Sequence, residues 1–200
     1  MNTGAINLKK GEGINLTKTK PSLTNIRVGL GWNEGNINID LDASVFACTT
    51  NHRNEPKLLT ERHFVFYNNL ATPNGSIVHS GDDRSGGDGD ENGDCETIRI
   101  MLDKIEKEVN ELSFFVTIHE GIEKRQHFGQ LSNSYIRIYD DNTNDTICEY
   151  KLDGQFDRIT SIQFGSVIRD INGWSFKAVG AGYKLLGLGD IVNQYLPASK

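Results

Sequence analysis

"SYIRIYD", residues 134–140, places Ile136 and Ile138 on one face of an extended chain and Tyr135, Arg137 and Tyr139 on the other. A period of two marks a half-buried strand, because successive side chains of an extended backbone point to opposite sides. The pattern recurs on both sides of this stretch. "NIRVGLGW" (25–32) sets Ile26, Val28 and Leu30 on one face, and in "HFVFY" (63–67) Phe64 and Phe66 share a face. "DASVFAC" (42–48), "SIVHS" (76–80), "TIRIML" (97–102), "SFFVTIH" (113–119), "TICEYKL" (146–152), "SIQFGSVIRD" (161–170) and "GWSFKAVGAGY" (173–183) read as further strands. "PNG" (73–75) is a turn signal ahead of the fourth of these runs.

About ten strands with turns between them predict an all-β fold, a two-sheet antiparallel β-sandwich. Short helical segments complete it: one or two turns over "DKIEKEV" (103–109), and the tail "LLGLGDIVNQYL" (185–196) near the C-terminus. "INLKK" (6–10) and "INLTK" (14–18), joined by "GEG", read as a small hairpin, although so short an echo also arises by chance. No linker rich in Pro, Gly or Ser divides the 200 residues, so a single domain over 1–200 is expected.

The net charge of −6 is concentrated in one place. "GDDRSGGDGDENGDCE" (81–96) holds seven acids and one base, and the remainder of the chain has 20 of each. A neutral remainder lacks the basic face that nucleic acid requires, so no nucleic-acid partner is expected. It also offers no polybasic patch for anionic lipid. Cys48, Cys95 and Cys148 lie far apart, without the paired spacing of a structural zinc site. Unpaired cysteines suit a reducing compartment, and the N-terminus has no apolar signal-peptide core. No window reaches the roughly 18 apolar residues of a membrane helix. A cytoplasmic location is the expectation.

Within the acidic run, "DGDENG" (88–93) has the D-x-D-x-N-G spacing that opens a calcium loop. Alternate oxygen-bearing side chains converge on one hard cation, and the glycine permits the turn between them. Numbering Asp88 as position one puts Asp90 at three, Asp94 at seven and Glu96 at nine. Position twelve is Arg99 instead of the bidentate Glu, and a β-prone run follows, so this is not an EF-hand. Further oxygen ligands are at hand in Asp40 and Asp42 of "DLDAS", Asn68 and Asn69 of "YNNL", and Asp82 and Asp83. Calcium takes about 6–8 oxygens, enough here for one ion or two, and is preferred to magnesium. The competing readings are a solvated acidic loop, and a strand edge guarded by Asp40 and Asp42.

These blocks together resemble the tellurium resistance (TerD) family of stress proteins. The resemblance is carried by "VGLGWN" (28–33), "DLDASVF" (40–46), "FVFYNNL" (64–70) and the acidic block with its flanks (73–98). It continues through "FFVTIHE" (114–120), "HFGQLSNSYIRI" (127–138), "FGSVIRD" (164–170) and "WSFKAVGAGY" (174–183). It is colinear from about residue 6 to about residue 195. It implies a β-sandwich, calcium binding and a role in resistance to tellurite and other stress. The ligand candidates it carries over are Asp40, Asp42, Asn68, Asn69, Asp82, Asp83, Asp88, Asp90, Asp94 and Glu96. The family usually has Asn at the place of Asp83, a shorter acidic block after Gly86, and Asp where this chain has Glu120.

Catalytic constellations are missing. There is no nucleophile elbow and no phosphate loop, and Glu123 stands where a zincin beginning at His119-Glu120 needs its second His. Cys48 and Cys148 read as small buried apolar residues, and Cys95 among carboxylates is a poor nucleophile. The expected function is a noncatalytic calcium-responsive sensor or scaffold, with other proteins of a stress-response complex as partners. Calcium-dependent membrane attachment is the secondary reading, and a metal-dependent hydrolase the third.

Overall fold

A computed structural model describes residues 5–33, 39–53, 55–82, 93–151 and 156–197. The first strands are β1 (Ile6–Asn7) and β2 (Gly13–Asn15), followed by a single helical turn, α1 (Leu16–Thr19). Then come β3 (Asn25–Asn33), β4 (Leu41–Thr50), β5 (Pro56–Leu58), β6 (Phe64–Val65) and β7 (Ile77–His79). The second half holds β8 (Glu96–Met101), β9 (Glu111–Ile118), β10 (Ser132–Asp140) and β11 (Asp145–Lys151). It closes with β12 (Ser161–Asp170), β13 (Gly173–Tyr183) and α2 (Leu188–Tyr195).

These strands form two sheets. Sheet A runs β1-β11-β10-β3-β8-β7, and sheet B runs β2-β13-β12-β9-β4-β5, with β6 also on β4. All pairs are antiparallel except β1 with β11. The expected sandwich is therefore the observed one. Alternation builds its interior: Ile26, Val28 and Leu30 of β3 and Ile136 and Ile138 of β10 face Leu112, Phe114 and Val116 of β9 across the gap. Phe114 and Phe164 meet with ring centroids 5.4 Å apart. A bulge between Gln163 and Gly165 shifts the register of β12, which is how Phe164 and Val167, of opposite parity, both reach the core.

Strand β4 does not alternate, since its first eight residues are all buried. The cause is α2, whose Ile191 and Tyr195 pack on the outer face of sheet B against Phe46, Cys48, Phe64 and Phe115. The rings of Phe46 and Tyr195 lie 4.7 Å apart. Both Cys48 and Cys148 are buried, as the sequence led us to expect. Burial lifts both thiols, that of Cys148 to about 12.

Three expectations of local structure are corrected. The two "IN" runs do not pair with each other: β1 joins β11 in sheet A and β2 joins β13 in sheet B. The chain between them crosses from one sheet to the other, with Leu8 buried beneath it, because each sheet has an open edge there that supplies a longer partner than a two-residue neighbour. Residues 103–109 form successive turns without a helix, closed by Lys104 N–H to the Met101 carbonyl and Val109 N–H to that of Glu106. Burial of Ile105 and Val109 in the core draws the chain inward at both points. In 63–67 only Phe64 and Val65 are strand. A 3-10 turn at Glu61–His63 precedes them, and reciprocal backbone bonds between Phe66 and Asn69 pinch the chain after them.

The core makes a direct prediction. Phe114→Ala removes a fully buried ring from between the sheets, and should cost ~3–5 kcal/mol of stability. Urea unfolding would show it as a lower midpoint at an unchanged slope.

Candidate metal centre

Strand β4 begins beside the end of β9, with Leu41 opposite Ile118. Asp40 is held at this end because its carbonyl accepts the His119 N–H (2.9 Å). Asp42 follows two residues later, 3% exposed. A third carboxylate arrives from the segment after β7. There, the N–H of Gly81 donates to Nδ1 of His79 (3.0 Å), and the backbone turns at Gly81 with φ +112°, a conformation that favours glycine. Asp82 is thereby brought to Asp40 and Asp42, and one carboxylate oxygen from each lies within 4.8 Å of the others.

Behind this cluster stands a polar tie between the sheets. Oε2 of Glu96, at the start of β8, accepts the Ala43 N–H (2.6 Å). Nε2 of His79 donates to the Ala43 carbonyl (3.1 Å). Because Gly81 donates to the other ring nitrogen, the imidazole proton is fixed on Nε2. Glu96 is fully buried, and its Oε2 is 3.6 Å from His79 Nε2.

Asp42 is electrostatically exposed to its neighbours. Burial first, then the charges of Glu96, Asp40 and Asp82, push its carboxyl up to about 8. Nδ1 of His119 lies 3.3 Å from its Oδ2, while its Oδ1 is buried with no hydrogen-bond partner among the described residues. Asp42 also lines a cavity of about 290 Å³ with Tyr67, Thr117, His119, Glu120 and Asp190. The donor set is made of hard carboxylate oxygens, the set that suits calcium or magnesium over softer metals, and an orphaned buried oxygen in it fits a bound cation.

The other candidates fall elsewhere. The side chain of Asp94 lies on the outer face of sheet A, where it fills the space over Gly29: a Cβ on that glycine would meet Oδ2 at 2.2 Å. Tyr135 packs beside it and donates its hydroxyl to the Gly93 carbonyl (2.8 Å). Burial and then the Asp94 charge lift the Tyr135 phenol to about 12. Glu96 points between the sheets, so these two residues of the calcium-loop spacing diverge to opposite faces. Asn69 uses its amide N–H groups on the carbonyls of Phe64 and Arg62, and Asn68 is exposed beside Tyr67. Asp83, Asp88 and Asp90 lie outside the described residues. Sequence reasoning missed His79, His119 and Tyr67. Only the adjacency of "TIH" and "FYNN" to the acidic blocks within the resemblance hinted at the last two.

A two-sheet β-sandwich carrying a carboxylate cluster where β4 begins is the class of protein defined by fold and site. The chain belongs to the TerD family, whose domain model matches residues 4–195. It is 38% identical over 195 residues to the tellurium resistance protein TerD of Serratia marcescens, spanning 96% of this chain and 97% of that one. General stress protein 16U of Bacillus subtilis (strain 168) is also 38% identical over 195 residues, covering 95% and 96% of the two chains. A crystal structure of a homologue of telluride resistance protein (TerD) from Streptomyces coelicolor A3(2) superposes with a TM-score of 0.65 at 17% identity. That match covers 86% of this chain and 96% of the other, and it bears on the fold alone. No helix among the described residues is long and apolar enough to cross a membrane.

The raised Asp42 carboxyl has a pH signature. In the unfolded chain the group titrates near ~3.9, and in the metal-free folded chain near about 8. Between those values the folded state holds the extra proton, so this group's contribution to stability falls as pH rises. Asp42→Asn should therefore be more stable than the unaltered chain at pH 8 in chelator, with the gap closing towards pH 4–5. Thermal unfolding at several pH values measures it, and parallel profiles for the two proteins would remove the effect from Asp42.

Proposed function

We propose that this chain is a noncatalytic, calcium-responsive protein of the stress response, in which Asp40, Asp42 and Asp82 are the fixed part of a cation site. The observation that carries the reading is the buried Oδ1 of Asp42, left without a donor among the described residues while three further carboxylates surround it. Burying like charge without compensation is costly, and a divalent cation supplies the missing countercharge. Calcium accepts the irregular, oxygen-rich sets that loops provide, whereas magnesium wants compact octahedral geometry.

Asp83, Asp88 and Asp90 are the proposed completing ligands, for one ion or two. In this reading Glu96 and Asp94 are anchors. Glu96 holds the β4 backbone beside Asp42, and Asp94 holds the exit of the acidic segment on sheet A. Asp82, in the carboxylate cluster, and Gly93, held by the Tyr135 hydroxyl, are the described residues on either side of segment 83–92. Binding would neutralise its acids and change the surface offered to a protein partner, which is how a local charge event becomes a signal. Tellurite and stress tolerance, a cytoplasmic setting and partners within a stress-response complex belong to the same proposal, supported by the names of the relatives.

Calorimetry of the metal-stripped full chain tests it. Calcium should bind at roughly 10⁻⁷–10⁻⁵ M, with magnesium much weaker. Asp42→Asn should lose at least about tenfold in affinity, the scale of one charge-assisted contact, and Asp88→Ala/Asp90→Ala should also be impaired. Absence of heat at millimolar calcium would overturn the cation site. Full binding by Asp42→Asn would move that site away from β4.

A further inference from the structure

Where β4 begins and β9 ends, the outer face of sheet B carries more than a cation cluster. Asp42 of β4 stands directly opposite Thr117 of β9 in the antiparallel register, so the two side chains leave the sheet on one face as near neighbours. It is the face that α2 covers, since Phe46 and Phe115, of the same parity on the two strands, pack on Tyr195. Between this floor, the turn after β9 and the first turn of α2 lies the cavity of about 290 Å³.

Two atoms of the floor are unmet. Thr117 is 2% exposed, and its hydroxyl has no hydrogen-bond partner among the described residues. Oδ1 of Asp42 is in the same condition. Leaving either group buried and unpaired is costly, and both can accept a hydrogen bond. The charge around them has one sign. Glu120 and Glu123 line the cavity from the turn after β9, and Asp190 lines it from α2. Asp190 accepts the Gly187 N–H (3.0 Å), and Glu120 pairs with Lys124 (3.2 Å), which lies outside the lining. Glu123 is in no salt bridge among the described residues. Among those residues no Lys or Arg lines the cavity, and its remaining wall includes the apolar Ile122, Leu186 and Leu188.

This set repels anions, and a neutral ligand would leave its charge unanswered. An alkylammonium matches both halves. Its head has three donors and no acceptor, and its stem lies along apolar surface while the charge meets polar groups. The volume holds a short alkyl chain besides the head.

We propose that this cavity binds an alkylammonium group, from a free diamine or from a lysine of a partner protein, with Asp42 Oδ1 and Thr117 Oγ1 as acceptors and Glu123 as a further countercharge. A regulatory consequence rests on the cation site proposed above: the ammonium takes the oxygen that calcium needs, so the two ligands exclude each other.

The test is an NMR titration of ¹⁵N-labelled full chain, freed of metal on a chelating resin, with cadaverine and then Nα-acetyl-lysine methylamide at constant ionic strength. Saturable shifts should centre on Thr117, His119–Ile122 and Leu188–Asp190, and the diol of the same length should leave them unmoved. Thr117→Val keeps the shape and every charge and should weaken cadaverine roughly threefold to tenfold, the worth of one hydrogen bond. Glu123→Gln should weaken it about twofold to fourfold, the scale of an exposed charge pair. Comparable binding of the lysine amide assigns the source to a partner's lysine, and binding of cadaverine alone assigns it to a free amine. Linear shifts spread over the acidic surface, equal binding of the diol, or unchanged affinity in both variants would overturn the site, leaving a cavity that holds water only. Unchanged affinity in Thr117→Val alone would overturn the role of the hydroxyl. Added calcium should displace cadaverine. Calcium binding that leaves cadaverine affinity unchanged would overturn the shared use of Asp42. Cadaverine saturation in a chain that gives no response to calcium would sink the cation site and leave the amine site standing.

Discussion

The start of β4 depends on one polar tie. Ala43 offers its N–H to Glu96 and its carbonyl to His79, both from the facing sheet. These are backbone groups that a neighbouring strand would otherwise satisfy, and side chains from β7 and β8 take that part. The bond to Glu96 is charge-assisted and buried, so it is strong and directional. It fixes where sheet A sits against sheet B at this end of the sandwich. With that position set, Asp42 is held in the interior and the turn at Gly81 delivers Asp82 next to it. The carboxylate cluster is thus a by-product of how the two sheets are joined, and needs no long loop to organise it.

Holding acids in this way sets a tension between the fold and the site. Glu96 stabilises the backbone while its charge opposes ionisation of Asp42. Nothing in the sandwich requires Asp42 to be acidic, and an amide of the same shape would pack as well. Its retention beside three other acids is a local conflict of the kind found at functional sites. In the proposed function a positive charge from outside the chain resolves this conflict, which is why the cluster is read there as a binding site and not as a structural ion-pair network.

The legibility of the sequence followed the chemistry of each face. Strands β3 and β10 alternate visibly because their outward positions hold polar residues or glycine, Arg27, Gly29 and Gly31 on β3 and Tyr135 and Arg137 on β10, and their inward residues were named correctly. Strand β4 concealed its faces because α2 covers the outside of sheet B, so Phe46 and Val45 are equally buried. Asp40 and Asp42 could be paired from an i, i+2 spacing, since a strand makes that spacing a shared face. His79 and His119 could not, because the packing of sheet A on sheet B brings His79 to this end of β4 from 37 residues away along the chain, and the pairing of β4 with β9 brings His119 from 77. The D-x-D-x-N-G spacing treated Asp94 and Glu96 as neighbours on one ion. The chain bends at Cys95 to enter β8, with Cys95 N–H on the Leu30 carbonyl, and that bend sends the two side chains to opposite sides. The apparent N-terminal hairpin failed for a related reason. Two short strands carry too little pattern to identify a partner, and both found one about 140–160 residues downstream.

That last pairing bears on how the molecule is made. Residues 6–7 dock on residues 148–149, and residues 13–15 dock on 175–177. Residues 6–15 thus wait for strands made about 140–160 residues later before they have a place to go. Such a high contact order slows folding, since long-range loops must close before their contacts reward them. During synthesis both sheets present bare edges, which are templates for pairing with other chains. The crossing segment is therefore the closing latch of the sandwich, and a nascent chain stalled before β13 would lack the edge on which to fasten it.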